Sequence, residues 1–387
     1  MKILAVCSRI PAAKKNGDQV LSYHRLAFLA KKHTVQVICF EPNYNYDTES
    51  KALETLGITV HTVPWRLVDA LRFGLMALFD RYMPLQCGYY TSHIFRSVYQ
   101  KILLNFNPDA IYAVTVRPLC NIDIFKKPLY IDLVDSMGLN FSRRRDAARG
   151  LKRALLAIES ARVLEFERKL AELSIRSFLV SDLDRIFIGN DKVSVLPLGI
   201  DLSHFQKNHV FNQDPIVIFS GNMFYQPNVE AALWFVDFCW KAVKVLVPQA
   251  RFVIAGSNPT QSIKLLTADS SIIVTGRVES MAAVLNASQV AIAPMQSGSG
   301  MQFKVLEAMA CAVPVVATTI GLGDIKAIPN QDILIGDTPE RIVELVVGLL
   351  NDRNKRVKLG EAGNSYVLAN HKWDVINECF SKECGFQ

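Results

Sequence analysis

Two charged side chains stand close to a glycine-rich turn in residues 293–318, which read APMQSGSGMQFKVLEAMACAVPVVAT. Lys304 follows the SGSG turn and Glu307 comes three residues later, so both fall on neighbouring parts of one helix face. A lysine can pair with a phosphate, and a carboxylate can accept two hydrogen bonds from the vicinal hydroxyls of a ribose. Spacing alone leaves open the alternative of a plain surface pair beside a glycine turn.

The elements around this turn predict its place in a fold. QVAIAP before the turn is typical of a buried strand, and VLEAMA after it is typical of a helix. A turn that leads from the carboxyl end of a strand into a helix presents backbone N–H groups, which favour an anion. The pattern therefore predicts a phosphate or sugar-hydroxyl site at that sheet edge.

Short apolar runs alternate with helical patterns along the whole chain. Strands are predicted at 2–7, 35–40, 58–63, 109–114, 128–133, 176–181 and 193–197, and the longest helix at about 145–173. A polar linker is expected near 205–215, after which the alternation restarts at IVIFSG. This order predicts an α/β fold of two Rossmann-like, doubly wound domains that face an interdomain cleft.

Length and charge agree with two domains and point to an anionic partner. The chain has 387 residues and a net charge of +7, and residues 1–205 carry 28 basic and 20 acidic side chains against 15 and 16 in the remainder. MKILAVC lacks the features of a signal peptide and no long uncharged apolar run occurs, so a cytoplasmic protein is expected. The eight cysteines show no disulfide or zinc spacing.

Several segments, taken together, resemble GT-B glycosyltransferases of the family 4 type, in particular the bacterial branch with the pattern GSG-x3-K-x2-EAMA. Besides GSGMQFKVLEAMACAVPVVAT they are VSDLDR at 180–185, VLPLGIDLSHF at 195–205, FSGNMFYQPNVEA at 219–231 and VTGRV at 274–278. The resemblance implies retaining, metal-independent and cofactor-free transfer of a sugar from a nucleotide-sugar donor to a glycan or lipid-linked acceptor. It also implies a role in bacterial surface polysaccharide or glycoconjugate synthesis. The implied domains are 1–205 for the acceptor, 206–370 for the donor, and a helix at 371–387 that returns to the first domain.

The resemblance also implies a set of donor-binding residues. Glu307 would hold the nucleotide ribose, while Lys304 would offset the charge of the diphosphate, because GNMFYQPN lacks the Arg and Lys that many relatives place there. Arg277 is a second candidate for that charge. Ser299 occupies the position where many relatives carry another glutamate. The remaining implied donor contacts come from Gly298, Ser299, Gly300, Met301, Gly221 and Gly17.

In the first domain, two short motifs could face the acceptor. Gly17 would let the backbone approach the diphosphate and acceptor beside Asp18, although a helix-start turn capped by Asp18 is the alternative. Asp132 and Asp135 end a predicted strand in YIDLVDSMG, where relatives use a polar residue to touch the donor sugar or acceptor. Asp135 is assigned a catalytic role and Asp132 an acceptor contact, with a helix cap as the alternative for Asp135.

Other functional classes fit the sequence less well. The chain has neither Asp-x-Asp nor a His/Asp cluster with metal-ligand spacing, which argues against a divalent-metal transferase. SRIPAAKKNGD is not the GxGxxG of a dehydrogenase, and no nucleic-acid motif occurs. The rival hypothesis is a non-catalytic GT-B homologue that acts as a scaffold subunit, suggested by Ser299 and by the missing Arg/Lys pair.

Two basic segments of the first domain favour a membrane surface. RRRDAARGLKR at 143–153 leads into an amphipathic helix, and PWRLVDALRFGLMALFDRYMPL at 64–85 places apolar residues between arginines, as interfacial helices do. Peripheral contact with the inner face of the plasma membrane is expected. A solvated helix face is the alternative for residues 143–153.

Overall fold

A computed structural model of the chain describes residues 1–13, 15, 17–80, 82–123, 126–146, 148–208, 214–297 and 301–386. The chain divides into two compact units, Met1–Leu198 with Ile376–Gln387, and Gly199–Val375. The chain thus changes unit several residues before the polar stretch that was expected to be the linker. Gly199 lies against the ring of Trp373, and Ile200 pairs with Lys372, so the outgoing and returning segments run side by side in the second unit.

The first unit is built on a seven-stranded parallel sheet in the order β3-β2-β1-β4-β5-β6-β7. Its strands are β1 (Lys2–Cys7), β2 (Thr34–Phe40), β3 (Thr59–Val63), β4 (Ala110–Val114), β5 (Leu129–Val134), β6 (Arg176–Leu179) and β7 (Val193–Val195). The central strands β1, β4 and β5 are apolar and buried almost throughout, as expected of a sheet covered by helices on both faces. The predicted parallel, doubly wound arrangement is confirmed here.

Helices connect the strands of the first unit, with three of them between β3 and β4 and only a 3₁₀ turn between β4 and β5. They are α1 (Gly17–Leu29), α2 (Asp47–Thr55), α3 (Leu67–Phe79), α4 (Leu85–Tyr89), α5 (His93–Phe106), α6 (Met137–Asp146), α7 (Gly150–Leu173) and α8 (Asp182–Ile188), with a 3₁₀ turn at Arg117–Asn121. The long helix predicted over about 145–173 is α7 in the structure, which starts at Gly150, while residues 145 and 146 belong to the preceding helix α6. Gly150 has a φ of +58°, a left-handed conformation outside the helical range, and the long helix begins only there.

The second unit has a six-stranded parallel sheet in the order β10-β9-β8-β11-β12-β13. Its strands are β8 (Ile216–Ser220), β9 (Arg251–Ala255), β10 (Ile272–Gly276), β11 (Val290–Ala293), β12 (Val315–Ala317) and β13 (Leu334–Ile335). Its helices are α9 (Gln226–Phe235), α10 (Lys241–Leu246), α11 (Gln261–Leu265), α12 (Met281–Asn286), α13 (Phe303–Ala310), α14 (Thr319–Leu322), α15 (Pro339–Asn351) and α16 (Arg353–Asn370), with a π turn at Val236–Trp240 and a 3₁₀ turn at Leu266–Ala268. The doubly wound arrangement is confirmed in this unit too.

The last helix, α17 (Trp373–Cys384), begins at the end of the second unit and lies mostly in the first. Ile376 and Phe380 are buried, and the ring of Phe380 contacts Tyr112 of β4 and Phe178 of β6 at centroid distances of 5.3 and 5.1 Å. The final helix is therefore part of the core of the first unit.

Candidate functional site

The turn after β11 brings Lys304 to the carboxyl edge of the second sheet. Lys304 lies in the first turn of α13, and its Nζ donates to Oε1 of Gln302 at 2.9 Å and to Sδ of Met295 at 3.5 Å. The ammonium also lies 5.5 Å from the ring centroid of Phe219 in β8. Burial lowers the pKa of Lys304 to about 8, although Glu307 acts in the opposite direction. Lys304 therefore loses its proton at a lower pH than an exposed lysine does.

Glu307 lies one turn further along the same helix. Val305, Leu306 and Ala308 are fully buried, which fixes the helix against the sheet and leaves Glu307 partly exposed. Its carboxylate accepts no hydrogen bond from any residue that the structure describes, and burial raises its pKa to about 7 against the opposing effect of Lys304. Both side chains are partly buried and both pKa values are shifted, so they are not the plain surface pair that spacing left open. The carboxylate is available to a ligand.

Two glycines shape the neighbouring part of this edge. Gly221 follows β8 with a φ of +153°, and Gly256 follows β9 with a φ of +145°. A Cβ built on Gly256 would lie 1.7 Å from the carbonyl oxygen of Gly221, so the two backbones touch where a side chain cannot fit. This contact fixes the loop that leads from Gly221 into α9.

Glu230 is a polar residue of this edge that the sequence analysis did not single out. Its Oε2 accepts from the Oγ of Ser297 at 2.6 Å, and its Oε1 accepts from Nε2 of Gln226 at 3.2 Å. Ser297 directly precedes the glycine-rich turn, so Glu230 anchors the start of that turn. Glu230 lies within FSGNMFYQPNVEA, a segment that resembles the glycosyltransferase family, and this position was the sequence signal that could have identified it.

Five other residues were predicted to contact the donor from the second unit. Gly298, Ser299 and Gly300 lie outside the described residues. Met301 is partly buried and packs against the core beneath α13. Arg277 is exposed after the edge strand β10, which β9 separates from β8. The structure thus does not bring Arg277 together with Lys304.

In the first unit, Gly17 and Asp18 open α1 after the carboxyl end of β1. Gly17 is the first residue of the helix, and a Cβ there would meet no other atom within 4 Å. Oδ1 of Asp18 lies 3.4 Å from Nη1 of Arg9, a partly exposed ion pair. The Nε2 of Gln19 donates to the carbonyl of Ile10 at 2.8 Å and connects the helix to the loop that follows β1. Asp18 is thereby held at the sheet edge.

Asp135 follows a strained end of β5. Val134 has a φ of +69° and Thr115, after β4, has a φ of +63°, conformations that β-branched residues rarely adopt and that cluster at functional sites. Asp135 is exposed at the sheet edge but closely flanked by protein. The surrounding protein reduces the hydration of the carboxylate, which raises the pKa of Asp135 to about 6. The nearby Asp184 carboxylate raises this pKa further, and Arg143 lowers it. Asp135 can therefore gain or lose a proton near neutral pH.

Glu167 of α7 holds the backbone immediately after Asp135. Its Oε2 accepts from the Oγ of Ser136 at 2.8 Å, and its Oε1 accepts from the N–H of Met137 at 2.7 Å. Asp184 accepts from the N–H of Ser136 at 3.2 Å. Burial raises the pKa of Glu167 to about 7. The carboxylates of Glu167 and Asp184 thus accept from the backbone at the start of α6 and fix the position of Asp135. Capping this helix was the alternative role considered for Asp135 itself.

Asp132 lies inside β5 and is not exposed at the edge. Its side chain is 1% exposed, lies 3.5 Å from the guanidinium of Arg25 and accepts from the hydroxyl of Tyr112 at 3.3 Å. Burial raises the pKa of Asp132, and Arg25 opposes that shift. The acceptor contact predicted for Asp132 has no geometric support in this arrangement, because the carboxylate is enclosed by protein.

Within the described ranges, no group of three or more His, Cys, Asp or Glu side chains is placed to hold a metal ion. Among the helices of those ranges, none has the length and apolar character needed to cross a bilayer.

Comparison with solved structures identifies the fold. Over 100% of both chains, the protein is similar to Anabaena HepE in complex with UDP and glucose, with a TM-score of 0.69 and 14% identity. It is similar to sucrose-phosphate synthase from Thermosynechococcus elongatus with a TM-score of 0.68 and 15% identity, over 99% of this chain and 98% of that one. The chain has the two-domain α/β fold of GT-B glycosyltransferases.

Sequence comparison narrows the class for the second unit. Residues 214–352 match the family model of glycosyl transferases group 1. A GDP-mannose-dependent monoacylated alpha-(1-6)-phosphatidylinositol monomannoside mannosyltransferase of Corynebacterium glutamicum is 31% identical over 143 residues, 34% of this chain and 38% of that protein. A GDP-mannose-dependent alpha-(1-6)-phosphatidylinositol monomannoside mannosyltransferase of Mycobacterium tuberculosis is 36% identical over 81 residues, 20% of each chain. The matches thus span well under half the length of these relatives.

Proposed function

We propose that the protein is a nucleotide-sugar-dependent glycosyltransferase of the family 4 type. The observation that carries the proposal is the pair Lys304 and Glu307 on α13, at one sheet edge within the segment that matches glycosyl transferases group 1. The carboxylate of Glu307 accepts no hydrogen bond from the part of the chain that the structure describes. A diphosphate would pair with the ammonium of Lys304, and a ribose diol would donate hydrogen bonds to the carboxylate of Glu307.

The donor residues have distinct proposed roles. Glu307 accepts hydrogen bonds from the ribose, and Lys304 lies against the diphosphate, whose charge would raise the pKa of the lysine again. Residues 298–301 are assigned the role of contacting the donor through backbone N–H groups, and Glu230 holds Ser297, the residue that precedes them. Arg277, on the far edge strand, suits a contact with the base better than one with the diphosphate. The relatives named above suggest GDP-mannose or a UDP-sugar as the donor to test first.

The proposed reaction is retaining and metal-independent. The acceptor oxygen forms a bond to the anomeric carbon on the face from which the diphosphate oxygen departs, and the acceptor proton passes to that departing oxygen. Lys304 stabilises the charge that develops on the leaving diphosphate. Asp135 and Asp18 at the edge of the first sheet position the acceptor hydroxyls. For Asp132 we propose a structural role in place of acceptor binding.

A membrane partner is proposed from an exposed apolar surface on the first unit. Helix α3 exposes large apolar side chains along most of its length, and Phe79 is 91% exposed. These side chains are Leu67, Val68, Leu71, Leu75, Met76, Leu78 and Phe79. Helix α7 exposes Leu151, Leu155 and Ile158, and its Arg162 donates to the carbonyls of Ala77 and Leu78 at the end of α3. We call these two faces the apolar surface.

Exposed basic side chains lie on the same two segments as the apolar surface. Arg66 and Arg72 lie on or next to α3, and Arg149, Lys152 and Arg153 are exposed at the start of α7. Exposed apolar side chains together with exposed basic side chains on the same helices are typical of contact with anionic lipid. We therefore propose a cytoplasmic protein bound at the inner face of the plasma membrane, acting on a lipid-linked acceptor or a glycan in bacterial surface polysaccharide or glycoconjugate synthesis.

The test of the proposed function has two steps. Thermal denaturation with UDP, GDP, ADP and CMP identifies the nucleotide, since a ligand that binds only the folded chain raises its melting temperature. The corresponding nucleotide sugars are then incubated with the protein without acceptor, and slow release of the nucleoside diphosphate is expected. A non-catalytic scaffold would bind lipid or partner but release none, and that result would overturn the proposal.

A further inference from the structure

We infer that a groove walled by aromatic side chains in the first unit binds two consecutive sugar rings of the acceptor, an inference that rests on the proposed function. The groove consists of two adjoining cavities of about 410 and about 400 Å³, which share Arg9, Tyr89 and Tyr90. Each is large enough for a small polar ligand. We call the two together the aromatic groove.

The aromatic groove lies at the carboxyl edge of the first sheet. Arg9 follows β1, Phe40 ends β2, and Trp65 comes just after β3, and all three line the groove. Arg9 also forms the 3.4 Å ion pair with Asp18. A ligand in the groove would therefore lie next to a carboxylate proposed to position acceptor hydroxyls.

The aromatic wall is held in a fixed shape. Nε1 of Trp65 donates to the carbonyl of Tyr89 at 3.3 Å, and the two rings lie 5.0 Å apart with planes at 41°. Tyr89 and Tyr90 lie 5.5 Å apart with planes at 73°. Tyr89 remains 45% exposed. Exposed rings in a concave site present faces with negative partial charge, on which the C–H groups of a pyranose pack.

The same geometry favours sugars over a nucleobase. A planar base is bound best between parallel faces, whereas the rings here are tilted by 41° and 73°. A puckered pyranose presents C–H groups at several angles and can contact both rings. A groove of this shape therefore suits a saccharide.

Polar groups in the groove match the hydroxyls of a saccharide. Arg9 and Glu41 line the first cavity, and Gln86 and Arg117 line the second. Nε of Arg117 donates to Oε1 of Gln86 at 3.1 Å, and its guanidinium lies 5.6 Å from the ring of Tyr90. Donors and acceptors thus occur in both cavities, so each can take one sugar ring and Tyr89 with Tyr90 would lie beside their linkage.

The test uses saturation-transfer NMR on the full chain. The probes are methyl α-mannopyranoside, methyl β-glucopyranoside, mannobiose and cellobiose, with uridine as the competing class. At least one disaccharide should bind saturably and more tightly than its methyl glycoside. Tyr89→Ala should weaken that binding about tenfold through loss of a stacking face, while Tyr82→Ala, which removes an exposed tyrosine outside the groove, should not change it. No saturable saccharide binding, a preference for uridine, or unchanged binding in Tyr89→Ala would overturn the inference.

Nucleotide-sugar hydrolysis by the same preparations separates this inference from the proposed function. The wild-type chain and Tyr82→Ala, whose side chain lines neither cavity of the groove, should hydrolyse the donor at the same rate. Saccharide binding without donor hydrolysis by any variant would contradict the proposed function and leave the groove as a saccharide site. Donor hydrolysis without saccharide binding would contradict only the assignment of the groove.

Discussion

Arg25 and Asp132 form an ion pair in the interior of the first unit, with Nε and Oδ2 3.5 Å apart and exposed fractions of 0% and 1%. Nη1 of Arg25 also donates to Oδ1 of Asn377 at 2.7 Å, and its guanidinium lies 4.5 Å from the ring of Phe380. The pair therefore connects α1, β5 and the final helix α17. Its contacts are those of a structural anchor.

The first prediction is that Asp132→Asn destabilises the first unit by about 3–5 kcal/mol, because Arg25 is left as a buried charge without its partner. The measurement is urea denaturation. Asp18→Asn serves as the control, since it breaks a partly exposed pair and should cost less than about 1 kcal/mol. Wild-type stability of Asp132→Asn together with a raised KM for acceptor would restore the role in acceptor binding.

The second prediction concerns Glu307 and nucleotide affinity. Glu307→Ala should weaken binding of the cognate nucleotide at least tenfold, since hydrogen bonds to a charged group contribute about 1.5–3 kcal/mol. The fold should be unaffected, because the carboxylate accepts no hydrogen bond from the described residues. Calorimetric titration gives the affinity, and Glu307→Gln should recover part of it through one remaining acceptor. Equal affinity in wild type and Glu307→Ala would remove Glu307 from the site.

The third prediction is that Lys304→Ala lowers kcat by about 10²-fold or more, the order expected when one preorganised charge contact to the transition state is lost. Lys304→Arg should recover only part of the rate, since a planar guanidinium does not occupy the place of a compact ammonium equally well. Steady-state kinetics and thermal denaturation are measured together. Near wild-type turnover in Lys304→Ala would mean that another cation carries the charge of the diphosphate.

The fourth prediction is a bell-shaped dependence of nucleotide-sugar affinity on pH. Below about pH 7 Glu307 is protonated and keeps only its carbonyl oxygen as a good acceptor for the two ribose hydroxyls, and above about pH 8 Lys304 loses its charge. Affinity should therefore be highest between these values. Titration from pH 6 to pH 9 should show that Glu307→Gln lacks the acidic limb and Lys304→Ala the alkaline limb. Identical profiles for all three proteins would refute these assignments.

The fifth prediction is salt-sensitive binding to anionic liposomes. Reversing the charge of Arg149, Lys152 and Arg153 should abolish co-sedimentation, as each basic residue near such a surface contributes about 1 kcal/mol. These residues are chosen because Arg143 affects Asp135. Phe79→Asp should weaken binding independently, whereas reversal of the exposed Lys355, Lys358 and Lys382 should have no effect. Binding that survives both the triple reversal and Phe79→Asp would exclude the apolar surface.

The alternation of strands and helices could be predicted because buried parallel strands are continuous apolar runs, as in KILAVC and RFVIAG. The start of α7 at Gly150 could not be placed exactly, because a left-handed glycine looks the same in the sequence as a glycine tolerated inside a helix. The change of unit at Gly199 depends on its contact with Trp373, more than 170 residues away. Such long-range contacts leave no local pattern.

Some residues of the candidate site could be predicted from the sequence and others could not. Lys304 and Glu307 could be singled out because a strand, a glycine turn and a helix follow one another within one short segment. The partner of Asp132 could not, since Arg25 lies on another element and Asn377 enters from the far end of the chain. Exposure of Asp135 but not of Asp132 follows from where β5 ends, at Val134.

The return of the chain at Ile376 has a consequence for biosynthesis. The second unit is one continuous segment, Gly199–Val375, and is complete as soon as that segment has left the ribosome. The first unit, although it is synthesised first, lacks Asn377 and Phe380 as partners for Arg25 until the last helix emerges. The core of the first unit around Arg25 can therefore close only after the whole second unit has been translated, so the unit that is translated first is the one that completes its folding last.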